Sequence, residues 1–183
     1  MPRIFGDNIM LREYQKEDLS EMREWVNDPE IVDNLSDIFI HPHTLNETEN
    51  YLNSILERKL EKEEHFVIAE KQTGNYMGQI GLINIDTRNR VAEIGIVIGK
   101  KQLMGKGIGM QALRLIQRYA FDSLNLNRLE LRVYACNTRA YRCYVKSGFQ
   151  EEGKLRERFY IHGRYEDVIL LGMLKKDYEE LKN

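Results

Sequence analysis

Gln102-Leu103-Met104-Gly105-Lys106-Gly107-Ile108-Gly109 carries three glycines at alternate positions, and a helical pattern of apolar residues follows at once. Glycines let backbone N–H groups approach a ligand closely. A helix starting in such a loop adds unpaired N–H groups and the positive end of its dipole. The stretch therefore predicts a cradle for a phosphate or pyrophosphate. A flexible strand-to-helix turn is the alternative, and the helix-propensity cost of glycines at a helix start weighs against it.

Spacing separates this loop from two well-known cradles. A Walker A loop needs G-x-x-x-x-G-K-[ST]; here Gly99 to Gly105 is one residue too long, and Gly107 stands where Ser or Thr must bind magnesium. A dinucleotide loop needs G-x-G-x-x-G, but Met110 occupies the third glycine's place and no βαβ half is repeated. What fits is Q-x-x-G-x-G, on Gln102, Gly105 and Gly107.

Working outward, the patterns predict one α/β unit spanning residues 1–183. Upstream lie strands at Phe66–Glu70, Met77–Asn84 and Ala92–Ile98. Residues 107–122 follow the 3.6 period, with Ala112, Leu113, Ile116 and Ala120 inward. Arg128–Val133 alternates as a strand, with Glu130 outward. Thr138–Ser147 is a short helix, capped by Asn137 or Thr138 and stopped by Gly148. Segments 149–161 and 165–174 pair across His162-Gly163, and 177–181 adds a last turn. Toward the N-terminus, a strand at Asn8–Arg12 precedes helices at Glu17–Asn27 and Asn46–Lys62. The second helix carries Tyr51, Leu52, Ile55, Leu56 and Lys59 in period, and residues 28–43 between the two read as irregular.

Composition narrows the class. The chain has 183 residues, 42% hydrophobic and 31% charged, with a net charge of −2, so a general nucleic-acid surface is not expected. No apolar run approaches the roughly 20 residues of a membrane span. Met1-Pro2-Arg3-Ile4 begins no signal peptide, and two cysteines, Cys136 and Cys143, point to a reducing cytoplasm rather than a disulfide framework. Neither these cysteines nor His41, His43, His65 and His162 show metal-ligand spacing, so no metal is expected.

A second signature lies downstream. Residues 137–149 read Asn-Thr-Arg-Ala-Tyr-Arg-Cys-Tyr-Val-Lys-Ser-Gly-Phe. With the glycine loop before it, this resembles the Gcn5-related N-acetyltransferase (GNAT) superfamily. The second motif of that superfamily, N-x-x-A-x-x-x-Y-x-K-x-G-F, is met by Asn137, Ala140, Tyr144, Lys146, Gly148 and Phe149. The likeness is nearest to ribosomal-protein N-terminal acetyltransferases and spermidine N-acetyltransferases. It runs from about residue 8 to 175 and is diagnostic over about 92–149. It implies an α/β (α+β) single-domain fold: a mixed, splayed six- or seven-stranded sheet with about four helices. It also implies acetyl-CoA bound between the strands 92–98 and 128–133.

On that resemblance, the N–H groups of Met104, Gly105, Lys106, Gly107, Ile108, Gly109 and Met110 receive the pyrophosphate. Lys106 adds charge or is a solvated lysine. The pantetheine arm pairs with Ile96, Val97 and Ile98 as an added strand. Asn137 contacts that arm or only caps its helix, and Lys146 reaches a phosphate or sits on the surface. Acetyl transfer needs an amine that has lost a proton, donors for the oxyanion and an acid for the thiolate. Glu93, in an otherwise apolar strand, is the candidate base, acting through water; an unpaired carboxylate there is desolvated and its pKa rises toward neutral. A solvent-facing strand-end glutamate is its other reading. The N–H of Val97 or Ile98 is the candidate oxyanion donor. Tyr144 is the candidate acid; Tyr141, three residues away on one helix face, leaves open that one of the pair is core.

The acceptor is read less directly. Between Glu24 and Glu57 lie eight acidic residues, Glu24, Asp28, Glu30, Asp33, Asp37, Glu47, Glu49 and Glu57, and no Lys or Arg. A negative rim attracts a cationic amine such as a polyamine or a basic peptide N-terminus; solvated helix faces explain the same run. The expected activity is acetyl transfer to a primary amine in a ternary complex, without an acetyl-enzyme. A non-catalytic acetyl-CoA-binding sensor is the alternative. A homo-oligomer fits the sequence without being dictated by it.

Overall fold

The computed structural model describes residues 3–182. Two short strands, β1 (Ile4–Phe5) and β2 (Ile9–Arg12), lead into helices α1 (Asp18–Trp25), α2 (Pro29–Val32) and α3 (Leu45–Leu56). Three long strands follow: β3 (Glu64–Glu70), β4 (Tyr76–Asp86) and β5 (Val91–Ile98). Then come α4 (Ile108–Arg118), continued by one π turn to Ser123, β6 (Arg128–Tyr134), α5 (Thr138–Lys146), β7 (Gln150–Ile161), β8 (Arg164–Leu174) and α6 (Lys175–Glu180).

All eight strands join one sheet in the order β1-β2-β3-β4-β5-β6-β8-β7. Every neighbouring pair is antiparallel except β5 and β6, which run parallel and pair at only three positions: Val91 with Arg128, Ala92 with Leu129 and Glu93 with Glu130. Beyond Glu93 the two strands part, so Ile94–Ile98 of β5 has a strand partner only on its β4 side. The splay is the structural origin of the cleft.

Side-chain alternation sorts the sheet into two faces. One face carries Phe66, Ile68, Ile80, Leu82, Ala92, Ile94, Leu129 and Leu131, packed on Ala112, Leu113 and Ile116 of α4. The other carries Val67, Ala69 and Val97 beneath Met22 and Trp25 of α1, Val26 just after it and Leu52 of α3. On this second face a bidentate Arg12–Asp18 pair (2.8 and 2.7 Å) anchors α1. Both side chains are 5% exposed, and Arg12 Nε also donates to the Gly74 carbonyl at 3.0 Å. Gln117 Nε2, buried, donates to the Ser147 carbonyl at 2.9 Å and ties α4 to the end of α5.

Four details differ from expectation. The sheet has eight strands because the two-residue β1 adds an edge to β2 (Ile4 opposite Leu11), too short for any periodicity to reveal. α3 stops at Leu56 instead of Lys62. Arg58 turns left-handed (φ 54°), and only Leu60 between 57 and 62 offers an apolar side chain, leaving Lys59 outside the helix beside Glu57. The segment read as irregular holds α2, whose start is built by Asp28 accepting from the Glu30 N–H (3.1 Å) with Pro29 at the first helical position. α6 begins at Lys175, with the Asp177 carboxylate accepting from the Leu174 N–H at 2.9 Å.

Candidate active site

The glycine loop makes a bare helix start. Gly105 (φ 75°) and Gly107 (φ 80°) are both left-handed, and Gly107 caps α4 without a side chain. A Cβ at either would meet nothing within 4 Å, so dihedral angle rather than crowding demands glycine here. The first backbone bond into α4 runs from the Gln111 N–H to the Gly107 carbonyl (3.1 Å). This leaves the N–H groups of Ile108, Gly109 and Met110 at the helix start without an intrahelical acceptor. Within the loop, the N–H of Met104 donates to Lys101 (3.0 Å) and that of Lys106 to Leu103 (3.4 Å), so these two close the turn.

From this helix start a cavity of about 1200 Å³ runs along the open edge of β5 and over the second face of the sheet. Ile96, Val97, Ile98, Met104, Gly105, Gly107, Gly109, Met110, Asn137, Tyr144, Lys146 and Glu93 all line it. Three predicted residues do not: Gln102 and Lys106 are exposed beside it, and Ile108 is buried in the core, leaving its backbone as its contribution.

Glu93 sits where β5 and β6 part, on the second face. Its carboxylate is not unpaired: Arg132 Nε lies 3.4 Å from Oε1, and Asn84 Nδ2 donates to Oε2 at 3.4 Å. The premise of a lone desolvated carboxylate is therefore not met. The side chain keeps 21% exposure, on the cavity wall. Glu130, its neighbour across the parallel pair, is held by Arg128, which also binds Glu152.

Tyr144 lies on α5, half-buried, with its ring edge-on to Phe149 (6.5 Å, 70°). Burial, and secondarily Cys143, push its phenol well above the usual value. A phenol so placed stays protonated and remains a donor. Its hydroxyl has no hydrogen-bond partner among the described residues. Tyr141 instead donates to Glu151 at 3.0 Å, outside the cavity. The capping role of Asn137 is realised: its side-chain oxygen accepts from the Ala140 N–H at 3.1 Å. Cys143 is half-buried, its thiol raised by burial, which removes thiolate character.

Sequence reasoning missed part of both ends of the cavity. Arg139 and Arg142 line it with Lys146, three cations on one stripe of α5 that their spacing could have disclosed. Toward the other end stand Tyr14, Tyr51, Glu63, His65 and Glu47, drawn from three separate segments with no local motif. The acidic run is largely engaged. Lys101 binds Asp28 (2.8 Å) and Glu30, His162 meets Asp33 (2.9 Å), and Glu47 accepts from the Thr44 N–H (2.6 Å) in a capping box.

The arrangement suits a CoA thioester. Three free N–H groups and a helix dipole face a pyrophosphate, the cationic stripe of α5 stands beside them, and an unpaired strand edge offers amide partners to an extended arm. No group of His, Cys, Asp and Glu among the described residues could hold a metal ion. Likewise, no helix there is long and apolar enough to cross a membrane.

Comparison with known proteins agrees with this geometry. The acetyltransferase (GNAT) domain family matches residues 8–150. An uncharacterised N-acetyltransferase, p20 of Bacillus licheniformis, is 32% identical over 97% of this chain and 99% of its own. Spermidine N(1)-acetyltransferase of Vibrio cholerae is 32% identical over 94% of this chain and 96% of its own. A crystal structure of the spermidine N-acetyltransferase of that organism, in complex with CoA and spermine, superposes with a TM-score of 0.83. It is 30% identical, over 95% of this chain and 99% of its own. That enzyme has also been solved as a dodecamer (TM-score 0.78). The chain therefore belongs to the GNAT family and is an N-acetyltransferase, an acyltransferase whose acetyl donor is acetyl-CoA.

Proposed function

We propose that residues 1–183 act as one catalytic unit, in the cytoplasm, transferring acetyl from acetyl-CoA directly to a cationic primary amine. The observation that carries this reading is the single cavity joining the bare start of α4 to a wall of carboxylates, Glu47, Glu63 and Glu93, and tyrosines, Tyr14 and Tyr51. Carboxylates and aromatic faces both favour an ammonium. The spermine complex of the Vibrio cholerae enzyme supports a polyamine, and a basic peptide N-terminus offers the same ammonium group.

In this mechanism Ile108, Gly109 and Met110 hold the pyrophosphate, with Arg139, Arg142 and Lys146 adding charge. The open edge of β5 at Ile96–Ile98 aligns the pantetheine arm, and the N–H of Val97 or Ile98 donates to the acetyl oxygen. Glu93, fixed by Arg132 and Asn84, takes a proton from the attacking nitrogen through water. Tyr144 gives its proton to the departing thiolate.

Thiol release from acetyl-CoA, measured across polyamines, N-terminal peptides and small amines, tests the reading. Release with at least one cationic amine class is expected. Tight acetyl-CoA binding with no release for any amine would replace the enzyme by a sensor. In the same assays, sedimentation reports whether the chain assembles as the Vibrio cholerae enzyme does.

A further inference from the structure

An alkyl ammonium that becomes an amide loses two protons from nitrogen, and the departing thiolate takes up only one. A single carboxylate holds one proton at a time, so Glu93 leaves one of the two unaccounted for. The second face of the sheet carries another base.

His65 lies on β3, on the same face as Glu93. It stands opposite Gly81 of β4, which in turn stands opposite Gly95 of β5, while Glu93 stands opposite Ile83. Strand spacing puts the β3 and β5 rows roughly 10 Å apart. The ground between them has no side chains at Gly81 and Gly95. A Cβ at Gly95 would meet nothing within 4 Å, so this floor is open to the cavity. A Cβ at Gly81 would stand 3.0 Å from His65 Nδ1 and 2.7 Å from the Glu64 carbonyl oxygen, so the imidazole lies directly over this glycine.

The ring is oriented. His65 Nε2 lies 2.6 Å from Glu63 Oε2, and the His65 side chain is only 10% exposed. Tyr51 of α3 meets the ring edge-on (6.0 Å, 84°). A carboxylate accepts only, so in neutral imidazole Nε2 carries the hydrogen and Nδ1 carries the lone pair. Nδ1 has no hydrogen-bond partner among the described residues; it lies against Gly81, and His65 lines the same cavity as Gly95. A carboxylate behind imidazole both sets this tautomer and stabilises the imidazolium that forms on proton uptake. Glu63, just before β3, and Tyr51 of α3 contact the ring, and the other titratable groups lining this end of the cavity are Glu47 of α3, Tyr14 after β2 and Glu93 of β5.

Resting on the acetyltransferase reading, we propose that the His65–Glu63 pair is a second catalytic base, which strips the first proton from the incoming ammonium over the Gly81–Gly95 floor. The ammonium gives this proton to His65 Nδ1. The free amine then attacks the thioester carbonyl; the N–C bond forms and the C–S bond breaks. The second proton leaves nitrogen for Glu93 through water, and the thiolate takes a proton from Tyr144. Of the two protons lost by nitrogen, one restores the Tyr144 hydroxyl and the other is released to solvent, which returns His65 and Glu93 to their starting forms.

The test compares His65→Gln and Glu63→Gln with the unsubstituted chain, using two acceptors: an alkyl ammonium, and a weakly basic amine already neutral at the assay pH. With the ammonium, His65→Gln lowers kcat about a hundredfold, while the Kd for acetyl-CoA is unchanged. The neutral amine has only one proton to lose, so its kcat falls at least about tenfold less than that of the ammonium. Equal losses with both acceptors would assign His65 a structural role and overturn the proposal. A second measurement needs no turnover: nitrogen NMR of the unsubstituted protein should show hydrogen on Nε2 and a bare Nδ1 in neutral His65, with Glu63→Gln altering that signal. Hydrogen on Nδ1 would overturn the proposal even if the chain acetylated nothing, whereas absent thiol release with the expected tautomer would count against the acetyltransferase assignment alone.

Discussion

The donor and acceptor ends of the cavity are built by opposite strategies. In the proposed reading, recognition at the donor end rests on backbone: bare N–H groups at α4 and an unpaired edge of β5, with cations from about two turns of α5. At the acceptor end it rests on side chains brought together from the segment after β2, from α3, and from β3 and β5, over a floor of two glycines. Backbone recognition tolerates change wherever φ is preserved. Side-chain recognition tolerates change only where packing is preserved. The two ends also meet mechanically, since Lys100 reaches Glu21 of α1 (2.7 Å) and Lys101 reaches Asp28 and Glu30 around α2.

The sharpest way to break the acceptor end alone is Asp18→Asn. It leaves the buried Arg12 guanidinium without its counter-charge under α1 and is expected to cost about 3–5 kcal/mol in denaturant unfolding. Next in size, Tyr144→Phe should lower kcat by about a hundredfold, or roughly 2.7 kcal/mol, with the acetyl-CoA Kd unchanged in calorimetry. An unchanged kcat would remove the acid assignment. Gly107→Ala strains a left-handed position by about 1–2 kcal/mol and should weaken acetyl-CoA binding while leaving the amine KM alone.

Alkaline pH offers a gentler probe. Burial raises the Tyr144 phenol by penalising the phenolate, so the proton donor persists as pH rises. The rate should then show no fall between about pH 8 and pH 10, the reference range for tyrosine; a fall that vanishes in Tyr144→Phe would contradict this placement. The smallest effect is expected from Lys101→Met. Freeing the carboxylates of Asp28 and Glu30 should slightly lower the KM of a cationic amine, and only at low ionic strength.

Legibility followed the same division. The helix at 107 is readable because Gly105 and Gly107 carry their φ requirement in their own identity, and α5 because Asn137 and Gly148 mark its ends. The end of α3 at Leu56 was not, since Ile55, Leu56 and Lys59 keep the helical period and only the left-handed turn at Arg58 breaks it. The environment of Glu93 was misread for a related reason: its partners Arg132 and Asn84 come from strands on either side, and no local pattern announces a cross-strand neighbour. The acidic run at 24–57 supports both a negative rim and solvated helix faces, and only the structure shows Lys101, His162 and the Thr44 cap engaging much of it one pair at a time.

By itself the sequence determined the glycine loop, the bare start of α4 and the strands beside it, because glycine dihedrals, helix starts and strand alternation are local properties that neighbouring residues specify. Only the tertiary structure decided the surroundings of Glu93 and His65. There the splay beyond Glu93, the Arg132 clamp and the imidazole over Gly81 depend on sheet order and register, and register is set by long-range packing of the two faces rather than by any one segment.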